Sequence, residues 1–403
     1  MTTDGDSGMK QVTQPYLTDL LRHALGSQAL EVSDWEVCPL HGGLERESAV
    51  LRFQGHAEEA GKSIPWSLIL KIVRPSPEND DPQGIRYWKR EALAYQSGLL
   101  HRLPGKITVP RCHAVREQPD GSLWLWLEDI QDEVGTSWPL EHYGVVARHL
   151  GQFNGAYLVG HPLPSEPWIT RDWVRKYAEH AAPMIEFMRN NPGYPIVRQW
   201  YPGRDMAQVL AVWDVRSRLL DVLDRLPQTF CHQDAFKRNL FARRDQTVAI
   251  DWGYAGIAPL GAELAALIVG SFGLYEVPAS QAFELDHICF EGYLQGLRDA
   301  GWDGSPRLVR LGYTLTYLLR YVYGGRIGEM LPALLDEYGR QFFETALSRS
   351  SEEIGRRDPD VEAYHQSVFM ETCMLLGLSK TLEILGREVV LSISLRRSGS
   401  PRA

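Results

Sequence analysis

The sequence is short of several features that would each have pointed elsewhere. Its five cysteines, Cys38, Cys112, Cys231, Cys289 and Cys373, lie far apart. There is no Cys-x-x-Cys pair and the count is odd, which speaks against both a disulfide framework and a structural zinc site. No apolar run is long enough to cross a bilayer: the longest, around Leu264 to Phe272, is interrupted by Gly270. The first residues, MTTDGDSGMKQ, lack the basic and apolar regions of a signal peptide. A cytoplasmic protein with no membrane partner is expected. Basic residues are not in surplus either. Lys and Arg number 42 against 51 Asp and Glu, a net charge of −9. This argues against a nucleic-acid partner, and it is compatible with a cationic substrate, which an acidic cleft would attract.

What is present is an ordinary globular composition, 44% hydrophobic and 23% charged, in a chain of 403 residues. That length exceeds what one hydrophobic core fills, so two lobes are expected. Leu17 to Leu25 predicts a short helix stopped by Gly26. Trp35 to Leu40 and Ser48 to Phe53 read as strands, and SLILKIV (Ser67 to Val73) as a buried strand rich in branched residues. Trp88, Ala92, Tyr95 and Leu99 recur at helical spacing and predict a helix over Ile85 to Leu100. SLWLWLE (Ser122 to Glu128) is a further strand. Long helical patterns follow: Tyr143 to Leu158, Trp173 to Arg189 and Met206 to Leu226, then Gly261 to Leu274, Gln281 to Ala300 and Arg307 to Val322. One β interruption lies between Phe230 and Trp252. The expected fold class is α+β: an antiparallel sheet with one helix over residues 15–130, and a large, mostly helical lobe over 131–397.

The chemistry concentrates in FCHQDAFKRNLFARRDQTVAIDWG (Phe230 to Gly253). Phosphoryl transfer needs a carboxylate to orient the attacking hydroxyl and oxygen ligands to hold Mg²⁺ on the phosphates. His232-x-Asp234, with Asn239 five residues after the aspartate, matches the H-x-D-x-x-x-x-N loop of kinases. Leu240 to Ala242 and Val248 to Ile250 read as a hairpin, which brings the residues flanking it, Asn239 and Asp251, to one point. Asp234 is therefore the candidate catalytic carboxylate, with Asn239 and Asp251 the candidate metal ligands. The segment resembles the aminoglycoside phosphotransferase and choline kinase-like family, with a protein-kinase-like fold. The order of elements from about Val37 to Ala266 follows that family.

The resemblance implies ATP and Mg²⁺ as cofactors and a hydroxyl of a small molecule as acceptor. It also implies a strand lysine on the ATP phosphates, which Lys71 supplies, held by a helix glutamate. Glu91 is the nearest partner for it, with Glu117 and Glu128 as alternatives. His41-Gly42-Gly43 stands where Gly42 and Gly43 would cover the phosphates. Leu127-Glu128-Asp129-Ile130 corresponds to the link between lobes, where the backbone of Glu128 and Ile130 would meet the adenine. The sequence departs from the family at Ala258 to Ala265, where Glu263 stands in place of a later aspartate and is expected to brace the loop. Phe153-Asn154 replaces a histidine-containing pair. The acceptor is open between aminoglycosides, amino sugars, choline-like alcohols and related metabolites, and Glu284, Asp286, Glu291, Tyr293, Tyr317, Arg320 and Arg326 are candidates to line its site. A kinase of Ser or Thr hydroxyls in a peptide is the alternative, although no A-P-E element follows Asp251. A catalytically inactive nucleotide-binding partner protein is the third reading.

Overall fold

The structure is a computed structural model that describes residues 12–40 and 48–377. Gly42 and Gly43 lie outside the described residues. Two compact units are present. The first takes the described residues up to Leu103, Ile107–Thr136 and Leu240–Tyr254. The second takes Pro104–Lys106, Ser137–Asn239 and the described residues from Ala255 onward. The α+β class, with an antiparallel sheet first and a mostly helical remainder, is what the described residues show.

In the first unit, β1 (Glu31–Leu40), β2 (Ser48–Glu59), β3 (Lys62–Val73), β5 (Cys112–Glu117) and β6 (Leu123–Glu128) form one sheet in the order β1-β2-β3-β6-β5, antiparallel throughout. The helix Gln14–Leu25 buries Leu17, Leu20 and Leu21 in a core shared with Phe53, Leu68, Leu70, Trp124 and Trp126. Successive side chains of a strand point to opposite faces. With Leu68, Leu70 and Ile72 in that core, Lys71 is turned to the other face. A second, three-stranded sheet joins β4 (Ile107–Thr108), β9 (Gln246–Ala249) and β8 (Leu240–Arg243). β8 and β9 pair with Leu240 opposite Ala249, so the second strand ends one residue sooner than expected and Ile250 separates it from Asp251.

The helix predicted over Ile85 to Leu100 is shorter, Arg90–Gln96. The reason lies in Arg90, fully buried, whose guanidinium donates to the carbonyls of Pro82 and Gly84 at 3.2 and 2.6 Å. Those carbonyls hold a loop around the side chain, and at the other end Gly98 takes the left-handed conformation (φ 72°).

The second unit is built on long helices, Leu140–Leu158, Ala262–Gly273, Ala282–Asp299, Pro306–Thr316 and Pro359–Leu375, around a two-stranded ribbon of β7 (Gln228–Cys231) and β10 (Gly256–Pro259). Two expected helices are broken. Trp173 to Arg189 divides into Trp173–Ala178 and Ala182–Asn190, where Pro183 sits in the first turn and cannot donate to the preceding helix. Met206 to Leu226 divides at Val215 into Arg204–Asp214 and Arg216–Arg225. Pro306–Thr316 runs directly into a π-helix, Tyr317–Met330. Wide turns of this kind are rare and recur at functional sites. Among the described residues no helix is long and apolar enough to cross a membrane.

Candidate active site

The residues singled out in the sequence gather into two groups, one in each unit. In the first unit Lys71 Nζ lies 2.6 Å from Glu91 Oε2 and 2.8 Å from Asp251 Oδ1. The Glu91 carboxylate is almost wholly buried, its side chain 5% exposed, against 13% for Lys71. Burial alone would push the lysine pKa down; Asp251 and Glu91 more than offset it and hold the ammonium well above its usual value. Burial pushes the Glu91 carboxyl up, while Lys71 and the Trp252 N–H pull it back. Hydrogen-bonded charges at this depth are tolerated because each has its partner. Glu117 and Glu128 are not the lysine's partners. The Glu128 carboxylate accepts from Arg243 Nη1 at 2.8 Å and from the Arg111 N–H at 3.1 Å, and Glu117 lies on β5 opposite Leu123.

Asp251 is held by its flanks. Trp252, fully buried, donates its indole N–H to the Ala249 carbonyl at 3.0 Å, and its backbone N–H points to Glu91 Oε1 at 3.4 Å. Arg90 donates to the Gly253 carbonyl at 2.7 Å. Asp251 itself sits in the left-handed region (φ 64°), a conformation that costs free energy in any residue but glycine and concentrates at functional sites. Glu128 ends β6, and Ile130 follows it outside the ladder of the sheet, with its backbone clear of strand pairing.

In the second unit the loop after β7 carries Asp234. Its backbone N–H donates to His232 Nδ1 at 3.1 Å, which assigns the imidazole proton to Nε2. The Asn239 amide N–H₂ donates to the Asp234 carbonyl and to Asp234 Oδ2, both at 2.9 Å. That commitment of the nitrogen leaves the Asn239 amide oxygen as the side chain's acceptor. Glu263 braces the loop: its buried carboxylate accepts the N–H groups of His232 and Gln233 at 2.7 and 2.9 Å. Burial pushes its pKa up and those two N–H groups hold it down. Gln233, like Asp251, is left-handed (φ 65°). Asn154 ties the strand before the loop, donating to the Phe230 carbonyl at 2.8 Å and accepting from the Tyr293 hydroxyl at 2.7 Å.

Most residues offered for the acceptor side serve the fold. Glu284 and Glu291 are exposed. Asp286 is bound by Arg310 at 2.7 Å, Tyr293 by Asn154, Tyr317 by His365, and Arg326 by Glu362 at 2.9 Å. Arg320 differs: its Nη2 lies 3.6 Å from Asp234 Oδ1, with its guanidinium 4.2 Å from the Trp173 ring centre. Trp173 and Tyr321, which flank Arg320, carried no signal in the sequence, since an aromatic in a helical pattern reads as core. Lys237 reaches over the Trp138 ring at 5.5 Å. The Asp251 carboxylate in the first unit and the Asn239 amide in the second are each oxygen donors, the kind that Mg²⁺ takes.

A model of the phosphotransferase enzyme family matches residues 56–303, more than half of the chain. No curated protein sequence matches it. Among solved structures, one of an amicoumacin kinase in complex with AMP-PNP, Ca²⁺ and Ami is 13% identical, covers 89% of this chain and 99% of its own, and has a TM-score of 0.49. A choline kinase from Cryptosporidium parvum is 13% identical over 92% and 96% of the two chains, TM-score 0.49. An aminoglycoside phosphotransferase from Streptomyces rimosus is 19% identical over 76% and 97%, TM-score 0.41.

Proposed function

The chain belongs to the phosphotransferase enzyme family, and on that premise we propose that it moves the γ-phosphoryl group of ATP to a hydroxyl of a small molecule. The observation that carries the nucleotide reading is the Lys71–Glu91–Asp251 cluster. A lysine on a sheet strand, fixed at 2.6 and 2.8 Å by two carboxylates, is a cation held ready for phosphate oxygens. Glu91 keeps the ammonium in place, and the backbone of Glu128 and Ile130 receives the adenine. Gly42 and Gly43, which lie outside the described residues, would cover the phosphates, as the resemblance implies. Asp251 and Asn239 would each offer an oxygen to Mg²⁺, which would neutralise charge on the phosphates.

On the acceptor side, Asp234 takes a hydrogen bond from the acceptor hydroxyl and orients its oxygen for in-line attack. The bond from the γ-phosphorus to the bridging oxygen breaks as the bond to the acceptor oxygen forms. The hydroxyl proton leaves by way of Asp234, and ADP departs. Asn239 fixes the Asp234 carboxylate through Oδ2, and Glu263 fixes the loop beneath it. Positioning of this kind supplies most of the catalysis that phosphoryl transfer asks of a protein. ATP consumption with Mg²⁺ across aminoglycosides, amino sugars, choline, hydroxy acids and Ser/Thr peptides tests the reading. Turnover with a small molecule is expected, and turnover with peptides alone would contradict it.

A further inference from the structure

Arg320 is 5% exposed, yet among the described residues its guanidinium makes no hydrogen bond. Its nearest carboxylate, Asp234, stands at 3.6 Å, outside hydrogen-bonding distance. A guanidinium carries five N–H donors in a rigid fork, and that of Arg320 faces Asp234 as an ion pair without a hydrogen bond. A second donor lies beside it. The Tyr321 hydroxyl is buried and has no hydrogen-bond partner among the described residues; its ring lies 5.0 Å from the guanidinium and 6.4 Å from Phe236 in the loop. Burial pushes the Tyr321 pKa up, Arg320 pulls it back and Asp234 and Glu263 add to the rise, so the hydroxyl keeps its proton. A buried hydroxyl without an acceptor and a guanidinium that makes no hydrogen bond, both next to the Asp234 carboxylate, suit a ligand that brings acceptors.

The aromatic faces nearby speak to the same ligand from the other side. A quaternary ammonium or a protonated amine is held on open aromatic faces. Here the Trp173 face is taken by Arg320 at 4.2 Å, and the same guanidinium lies 5.0 Å from the Tyr321 ring. A cation placed beside Asp234 would also meet the Arg320 charge.

We propose that the acceptor is a hydroxy acid, an alcohol whose carboxylate sits on the carbon bearing the hydroxyl or on its neighbour, and that Arg320 receives this carboxylate with the Tyr321 hydroxyl as a further donor. The planar fork matches a carboxylate at two points. Docked there, the acceptor presents its hydroxyl to the adjacent Asp234. This rests on the reading of Asp234 as the carboxylate that orients the acceptor, and it excludes choline and polycationic aminoglycosides as preferred substrates.

The test uses the full chain, with ADP release measured for glycerate, malate and L-serine against glycerol, choline and kanamycin. A carboxylate-bearing acceptor is expected to be turned over and the cations are not. Arg320→Gln should raise the acceptor KM by roughly 100-fold while leaving the KM for ATP unchanged, as removal of a buried charged hydrogen-bond partner does. Arg320→Lys, which keeps the charge and loses the fork, should fall between. Preferred turnover of choline or kanamycin would overturn the proposal. So would an Arg320→Gln protein with lowered kcat and an unchanged acceptor KM, since Arg320 would then serve the phosphoryl group. In parallel, ¹³C-carboxylate-labelled glycerate and malate are titrated without nucleotide and followed by NMR. Broadening in the wild type that is lost in Arg320→Gln supports the anion site, and its absence for both probes, with no hydroxy acid turned over, defeats it. Mg-ATP binding is read separately by calorimetry: its failure removes the kinase reading and leaves the carboxylate result standing on its own.

Discussion

At the scale of single residues, the account turns on charges buried in pairs. Replacing Lys71 by Met leaves the Glu91 carboxylate without its cation, which should cost about 3 kcal/mol of stability as well as activity. The double substitution Lys71→Met with Glu91→Leu removes both charges and should recover most of that stability in a urea melt, with no recovery of activity. Glu263→Gln puts an amide N–H₂ against one of two backbone N–H groups. Roughly 1–3 kcal/mol should be lost, together with most of kcat, because the Asp234 loop loses its brace. His365 supplies a pH dependence. Burial, then Arg326 and Arg357, hold its imidazole well below its usual pKa, so it is neutral in the fold. It accepts from Arg326 Nη1 at Nε2 (2.9 Å) and pairs with Tyr317 at Nδ1, with Glu362 the nearby carboxylate on its own helix. A histidine whose folded pKa is depressed binds its proton only on unfolding. Stability should therefore fall as pH drops below about 6.5, on the order of 1 kcal/mol per unit. Melts of the wild type and of His365→Asn between pH 7.5 and 5.5 check this, and the variant should show the flatter curve.

Elements were legible in the sequence to the extent that their causes are local. The loop from His232 to Asn239 and the β8–β9 hairpin are contiguous in the chain, so a motif and a turn pattern were enough to place their residues. Lys71 was conspicuous as a charge within an apolar strand. What escaped has long-range causes. The shortened helix at Arg90–Gln96 follows from one side chain capturing distant carbonyls. The π-helix Tyr317–Met330 and the pairing of β7 with β10 leave no periodic mark. Arg320 was one of seven candidates for the acceptor side with nothing to single it out, and Trp173, far from it in sequence, read as a core aromatic. Gly270 shows the same contrast: in the sequence it is an interruption of an apolar run, and in the helix Ala262–Gly273 it makes room for the Phe236 ring, whose nearest atom would lie 2.0 Å from an added Cβ. Gly270→Ala must displace the Asp234 loop. A loss of about 1–3 kcal/mol in stability, with kcat falling further than acceptor binding, is expected from denaturation curves and steady-state kinetics.

At the scale of the whole molecule, the proposed function draws on residues of both units. The sheet unit carries a fixed lysine between two carboxylates, and the helical unit carries a braced aspartate with a buried arginine beside it. The most direct measurement is Mg-ATP consumption with a responding acceptor, in the wild type and in Asp234→Asn and Asp251→Ala proteins shown by circular dichroism to be folded. The account predicts that both substitutions lower kcat/KM by several orders of magnitude, with ATP binding weakened in Asp251→Ala and kept in Asp234→Asn. An Asp251→Ala protein that stayed fully active would contradict it.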